Sequence, residues 1–399
     1  MKYRLKAKAS AVAAVTAVIF GAGMALGATA AAAAPADVVT FADSALQDCV
    51  NDALSQPAGS DVTEGQMAGL PQLSCDLRGI TALGGIEYAT GLTLIDLNGN
   101  QVADLSPLAG LTSLRYLFLG ENQVSDVSPL VGLTNLEDLY IGANQVSDIA
   151  PLAGLTNLQF LYLNSNQITD ASAVAGMTSL FYLGLGSNQI TSVAPLAGLT
   201  GLEWLGLDSN QISDVSPLAG LTSLVWLNLE VNRIVDVSPL AGLPDLNQGL
   251  LLNDQVSSQP AAQVAVPVAN PLRGADGAVV PVSDAGFCSE ASCAQLVYPA
   301  VGTGVQVPWS IEVTIGGQTV PFSGALVRDV TGTTVVPDPD GGDEDQGTSV
   351  SPKPDELAAT GASDNGAFML MLMPFAAALL LGGGVLAAVA AARRARCEA

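Results

Sequence analysis

The stretch LRYLFLGENQVSDVSPLVGLTN, Leu114–Asn135, decides the fold, because its pattern returns along the chain every 22 residues. The recurring pattern is L-x-x-L-x-L-x-x-N-x-[IV]-x-D-x-x-P-L-x-x-L. Its asparagines mark the copies: Asn100, Asn122, Asn144, Asn166, Asn188, Asn210 and Asn232. A fixed period of this length indicates a solenoid, in which each unit buries its apolar residues only by stacking on its neighbours.

Each position of the unit has a physical interpretation. The alternation in YLFLG predicts a short strand with Leu117 and Leu119 pointing inward. We expect the asparagine to hydrogen-bond backbone groups where the chain leaves the strand, so that stacked units form a ladder. Pro129 suits a first helical turn because it lacks an N–H. The remaining residues are too few for a long return helix, which predicts 3₁₀ or irregular structure on the outer side.

The pattern resembles the leucine-rich repeat, and most closely the internalin group with its 22-residue unit and PL step. The units start at Leu70, Leu92, Leu114, Leu136, Leu158, Leu180, Leu202 and Leu224, with a half unit at Leu246. We therefore assign residues 70–256 to the repeats. Arg78 and Asp254 occupy the asparagine position in the first unit and in the half unit. The resemblance implies an α/β repeat solenoid, a curved leucine-rich repeat coil with an N-terminal helical cap, followed by a small all-β Ig-like sandwich.

The segments flanking the repeats fit this arrangement. Residues 37–69 contain one amphipathic helix and a second short helix with a Thr63–Gln66 capping box, which predicts the cap. Residues 257–334 carry short valine-rich runs split by Gly, Pro and Asp, which indicates a small all-β domain with Trp309 in its core. Residues 335–356 form an acidic Pro/Gly linker.

The cysteines predict disulfides in an exported chain. Cys397 lies in the C-terminal tail, and four cysteines remain, an even number that allows three pairings. The favoured pairing is local: Cys49 with Cys75, and Cys288 with Cys293. The first pair would tie the cap to the first unit, and its alternative is two buried free thiols.

Both ends carry targeting patterns. A positive start, an apolar run and an APA site predict a signal peptide over residues 1–36, with a retained anchor as the alternative. An apolar segment over 367–392, followed by arginines, is long enough to span a membrane. It is preceded by the motif Leu357, Ala358, Ala359, Thr360 and Gly361.

This tail resembles a Gram-positive cell-wall sorting signal of the LPxTG type, in an LAxTG form. The resemblance implies that a sortase cleaves after Thr360 and joins its carbonyl to an amine of peptidoglycan or of a pilin. Simple membrane retention is the alternative. We therefore expect a secreted, wall-anchored protein, and the alanine-rich composition points to an actinobacterial surface.

Charge and composition exclude several function classes. The chain has 13 Lys+Arg against 37 Asp+Glu, which argues against a nucleic-acid partner. It has no histidine, so the commonest general base and metal ligand are missing. We predict no catalytic residues, no metal and no cofactor, and hence no enzyme.

The third and fifth residues of each unit face away from the leucines and define what we call the concave face. The repeats contain ten aromatic residues, and eight of them occupy these positions. The eight are Tyr116, Phe118, Tyr140, Phe160, Tyr162, Tyr182, Trp204 and Trp226. Clustered exposed rings usually mark a binding surface, which predicts a ligand-binding role. The internalin resemblance implies an extracellular protein ligand; the alternatives are a glycan ligand or a mainly structural wall protein.

Overall fold

The structure is a computed structural model that describes residues 37–243, 246, 248–263, 267–283, 287–288, 292–298 and 302–331. The signal peptide, the linker, the sorting motif and the apolar segment 367–392 that the sequence predicts all lie outside these ranges. Across the described ranges, no helix is both long enough and apolar enough to cross a membrane.

Two short helices precede the repeats. Helix α1, Ser44–Ala53, begins after Asp43, whose carboxylate accepts a hydrogen bond from the backbone N–H of Ala45 at 2.8 Å. Its Leu46 and Val50 are fully buried. A disulfide joins Cys49 of this helix to Cys75 of the first unit, as the local pairing predicts.

Helix α2, Glu64–Ala68, starts with the predicted capping box. The Thr63 hydroxyl accepts a hydrogen bond from the backbone N–H of Gln66 at 3.3 Å, and the Gln66 side chain accepts one from the backbone N–H of Thr63 at 2.9 Å. Met67 is fully buried. Both helices thus carry an apolar side packed into the protein core, while their role as a cap stays a prediction.

Each repeat contributes a three-residue strand to one parallel sheet. The strands are β1 Gln72–Ser74, β2 Leu94–Asp96, β3 Tyr116–Phe118, β4 Asp138–Tyr140, β5 Phe160–Tyr162, β6 Tyr182–Gly184, β7 Trp204–Gly206 and β8 Trp226–Asn228. Residues one unit apart lie side by side, as Tyr116 does with Asp138. The central residue of each strand is buried, as Leu117 and Leu139 are. The alternation read from the sequence is confirmed.

The return path of each unit is a 3₁₀ turn, as predicted. The turns span Ile86–Tyr88, Ser106–Leu108, Ser128–Gly132, Ala150–Gly154, Ser172–Gly176, Ala194–Gly198, Ser216–Gly220 and Ser238–Gly242. Pro129 lies in the first turn of its segment. The Asp126 carboxylate accepts a hydrogen bond from the backbone N–H of Ser128 at 2.8 Å and so satisfies the start of the turn.

The asparagines form the predicted ladder inside the coil, and Asn166 is typical. Its Nδ2 donates to the carbonyl oxygens of Leu163, in the same unit, at 3.1 Å and of Ile141, in the preceding unit, at 3.0 Å. Its Oδ1 accepts from the backbone N–H of Val146 at 2.9 Å. Each asparagine therefore ties two successive units through otherwise unpaired buried backbone groups.

The last rung of this ladder is Gln255, so the assignment of Asp254 to the asparagine position is wrong. Trp226 of β8 pairs with Gly249, one residue beyond the period of 22. The extra residue shifts every later position by one. Gln255 Nε2 donates to the Leu229 carbonyl at 2.8 Å, and its Oε1 accepts a backbone N–H of the preceding unit.

The residue before each rung adopts a left-handed backbone conformation, with φ between 53° and 65°. These residues are Leu77, Gly99, Glu121, Ala143, Ser165, Ser187, Ser209, Val231 and Asp254. Gly99 alone among them is a glycine, the residue that adopts this conformation without steric cost.

After the repeats the sheet continues without a break. The later strands are β9 Gly249–Ser258, β10 Ala262–Gln263, β11 Val268–Ala269, β12 Gln295–Leu296, β13 Gly302–Ile315 and β14 Gln318–Thr331. Strand β9 is parallel to β8 and then pairs with β14, which forms a hairpin with β13. Within the described residues, β1 to β9 and then β14 and β10 follow one another in a single sheet.

The buried apolar residues of the C-terminal strands belong to the same core as those of the repeats. Trp309 and Phe322 pack there with ring centroids 5.8 Å apart, and Tyr298 is also buried. Cys288 and Cys293 form the second predicted disulfide. The predicted boundary between residues 256 and 257 lies inside β9, and an Ig-like sandwich over 257–334 stays a prediction.

Candidate functional site

All eight predicted aromatic residues lie in strands β3 to β8. Each ring is half-buried, whereas the leucine between the two face positions of each strand is fully buried. In β5, for example, Phe160 and Tyr162 flank the buried Leu161. The rings therefore lie on the side of the sheet opposite to the leucine core, at the third and fifth positions of each unit. Ligand binding by these residues stays a prediction.

The rings contact one another in two groups. Tyr162 packs on Tyr140 with centroids 5.2 Å apart and stacks on Tyr182 at 4.2 Å. Trp204 and Trp226 form a second stacked pair at 5.9 Å. The concave face thus presents a tyrosine cluster and a tryptophan plate, each built from neighbouring units.

Glycines on the same face make room for these rings. A Cβ added at Gly120 would overlap the Tyr140 ring, and one added at Gly184 would lie 3.1 Å from Tyr182 Cε1. The Tyr140 ring therefore lies against the backbone at Gly120 of the preceding unit, and Gly184 leaves room beside the Tyr182 ring of its own strand. The sequence analysis missed this role, although an interruption of the aromatic positions by Gly184 was visible in the repeat alignment.

The phenol groups of the tyrosine cluster are neutral at physiological pH, as ordinary phenols are, and burial strengthens this preference. Burial raises the pKa of Tyr182 to about 12, and it also raises the pKa of Tyr140 and of Tyr162. At physiological pH these side chains combine an apolar ring with a protonated hydroxyl. Such groups form anchors at protein interfaces and hydrogen-bond partners for polar ligands.

Asp138 is a charged residue within the aromatic surface. It occupies the third position of its unit, beside Tyr116 of β3 and Phe160 of β5. Burial raises the pKa of its carboxyl to about 7, and repulsion from Glu137 adds to the shift, whereas Arg115 opposes it. Its position as the third residue of a unit puts Asp138 on the concave face, but that position alone predicts no role; the signal in the sequence is an acid at a position that aromatic residues occupy in most other units.

Three further acids lie along the same face and its edge. Burial raises the pKa of Asp96, Asp208 and Glu230. The repeats contain three basic residues, all arginines: Arg78, Arg115 and Arg233. The guanidinium of Arg115 is engaged, since its Nε donates to Glu137 Oε1 at 2.9 Å. The concave face is therefore aromatic and acidic.

Among the described residues, no group of three or more Cys, Asp or Glu side chains could hold a metal ion. Asp138 and Asp208 lie three strands apart, so they do not form a carboxylate pair. The predicted sortase motif, Leu357 to Gly361, falls outside the described residues.

Comparison with known families identifies the repeats. The family model for leucine-rich repeats, in its two-copy form, matches residues 90–132, 112–154 and 134–176. These residues are leucine-rich repeats. A comparison with the curated proteins gives no match.

Solved structures from one organism share sequence with this chain. Internalin C2 of Listeria monocytogenes is 43% identical, over 51% of this chain and 90% of that chain, with a TM-score of 0.49. An internalin, InlF, of the same organism is 30% identical, over 54% of this chain and 77% of that chain, with a TM-score of 0.42. Both TM-scores are below 0.5, so these likenesses add nothing to the description of the fold. By sequence identity the repeat region is internalin-like.

Proposed function

We propose that this internalin-like leucine-rich repeat protein is a wall-anchored surface protein that binds an extracellular protein through its concave face. It acts as an adhesin-like binding protein and not as an enzyme. The observation that carries the proposal is that every strand from β3 to β8 contributes at least one half-buried ring on the side opposite to the leucine core.

The rings supply the apolar part of the interface. Tyr140, Tyr162 and Tyr182 are already packed on one another, so a partner would immobilise few side chains on binding. Rigid aromatic anchors of this kind dominate many protein interfaces. The tryptophan plate, Trp204 and Trp226, extends the same surface toward the C-terminal end of the repeats.

The acidic side chains of the concave face favour a partner with a basic surface. Asp96, Asp138, Asp208 and Glu230 are half-buried on or beside the face, and basic residues are scarce in the repeats. A partner with lysine or arginine side chains at its contact surface would satisfy these carboxylates and gain from the attraction during encounter.

Anchoring rests on the sequence of the tail. The sortase would cleave after Thr360 and transfer its carbonyl to an amine of peptidoglycan or of a pilin. The signal peptide, residues 1–36, would direct export, and the linker, residues 335–356, would hold the repeats away from the wall. An absence of a Thr360-linked wall fragment in lysozyme digests of the native cells would refute this part.

The binding proposal is tested with purified extracellular proteins and an array of glycans. For each protein ligand found, the double variant Trp204→Ala/Trp226→Ala should weaken binding at least tenfold, because two anchors are lost. Tyr88→Ala is the matched control, since Tyr88 is an aromatic residue of a 3₁₀ turn, away from the concave face. Equal losses in both variants, or none in either, would contradict the proposal.

Glycan binding is the second candidate, and the tryptophan plate favours it. Trp204 and Trp226 are stacked within 28° of parallel, and flat ring surfaces of this kind also stack on sugars. Ionic strength separates the two candidates. Affinity for a basic protein should fall as salt rises, whereas stacking on a neutral sugar should change little.

A further inference from the structure

Asp138 occupies an unusual position within the concave face. On one side its neighbour in the sheet is Tyr116, and on the other it is Phe160. Neighbouring strands lie about 4.8 Å apart, so its carboxylate is within reach of rings on both sides. Its charge also acts on the phenol of Tyr162, one of the causes that raise the pKa of that group.

The carboxylate has no hydrogen-bond partner among the described residues. The nearby cation, Arg115, is held by Glu137 through its Nε, and the Tyr116 hydroxyl lies 3.5 Å from the second oxygen of Glu137. The Arg115 guanidinium also lies over the Tyr116 ring, 5.6 Å from its centroid, so this ring already has a cation of the same chain on it. The fold thus places a partly buried carboxylate among rings without a hydrogen-bond partner from the protein, and the partial burial makes its charged form less favourable.

We propose that Asp138, with the rings of Phe160 and Tyr162, forms a subsite for one cationic side chain, lysine or arginine, of the protein partner. This inference rests on the proposed function and specifies the chemistry of one contact. The cation pairs with the Asp138 carboxylate and lies against the faces of the rings. The same site therefore supplies a charge pair and cation–π contacts within one half-buried space.

The melting temperature and the binding of Asp138→Asn distinguish a carboxylate that binds a ligand from one that stabilises the fold. If the role of Asp138 is to bind a cation, Asp138→Asn removes a poorly solvated charge, so the melting temperature stays unchanged or rises. The variant should at the same time lose its affinity for the cationic ligand. If Asp138 stabilises the coil by pairing with Arg115, the same variant melts earlier. Asp61→Asn is the matched control, because Asp61 is exposed and the change in net charge is identical.

The test uses the intact protein and three probes that differ only in their side chain: the N-acetyl methylamides of lysine, arginine and norleucine. The ¹³C NMR titration of the Asp138 carboxyl is followed with each probe. A bound cation should lower its pKa, whereas neutral norleucine should leave it unchanged. The probe that lowers it more identifies the side chain the subsite prefers. Affinity for that probe should fall at least tenfold in Asp138→Asn and stay unchanged in Asp61→Asn.

Three results would overturn the subsite: no response of the Asp138 carboxyl to either cationic probe, equal affinity of both variants for the probe, or earlier melting of Asp138→Asn. These outcomes leave the proposed function intact if Trp204→Ala/Trp226→Ala still loses the protein ligand. Loss of the cationic probe with an unaffected tryptophan double variant would instead sustain the subsite and contradict binding across the whole face.

Discussion

Replacement of Asn166 by alanine removes one rung from the middle of the ladder. The side chain makes hydrogen bonds to the carbonyls of Leu163 and Ile141 and accepts the N–H of Val146. Alanine can make none of these hydrogen bonds. The variant therefore isolates the contribution of one rung to the coupling between units.

The magnitude follows from what each backbone group retains. The Leu163 carbonyl keeps a hydrogen bond from Asn188 at 3.0 Å, and the Ile141 carbonyl keeps one from Asn144 at 3.1 Å. The Val146 N–H loses its partner and stays buried. An orphaned buried donor costs about 1–3 kcal/mol, so we expect the free energy of unfolding to fall by about 2–3 kcal/mol once the weakened carbonyls are included.

Urea unfolding followed by far-ultraviolet circular dichroism, under oxidising conditions, measures this loss. Asn157→Ala is the matched control, because the Asn157 side chain makes one exposed bond to the Thr134 carbonyl at 2.9 Å. Exposed substitutions of this kind usually change stability by at most about 0.5 kcal/mol. If the two variants unfold at the same urea concentration, the ladder does not hold the units together and the reasoning fails.

Three further predictions concern strain, ring packing and pH. Val231→Asn should raise stability by about 1 kcal/mol, because a β-branched residue at φ 53° is strained and asparagine tolerates this conformation; a lower urea midpoint would contradict it. Gly184→Ala should weaken partner binding and lower the melting temperature, because the new Cβ meets the side-chain amide of Asn164 at 2.8 Å and Tyr182 Cε1 at 3.1 Å, whereas Gly154→Ala, with open space around it, should change neither. Burial raises the pKa of Asp138 from its ordinary value near 4 to about 7 in the folded protein, so the folded state binds this proton more tightly than the unfolded state. Stability should therefore fall as pH rises from about 4 to about 7, and Asp138→Asn should show a smaller fall.

Much of the repeat architecture could be predicted from the sequence because each unit places the same residue types at the same structural positions. The period fixed the strands, the 3₁₀ turns and the ladder, and Asn166 and Pro129 took the positions their chemistry favours. The pairing of Cys49 with Cys75 followed from two residues that each faced the core at the same end of the coil.

Other features depend on contacts that no local pattern contains. The extra residue before Gly249 moved the last rung to Gln255, and a fixed period cannot reveal an insertion. The pairing of β9 with β14 joins segments far apart in sequence. The sequence pattern also does not predict how side chains of neighbouring units pack on one another. Examples are the packing of Tyr140 over Gly120 and the position of Asp138 between rings of two strands.

The central claim is that the leucines build the coil and leave the opposite rings to meet a protein partner. Hydroxyl-radical footprinting of the protein, free and bound to a ligand from the screen, tests it directly. Binding should protect Tyr116, Tyr140 and Trp204 from oxidation and leave the oxidation of Tyr88 unchanged. Protection of Tyr88 with the three concave-face residues unaffected would contradict it.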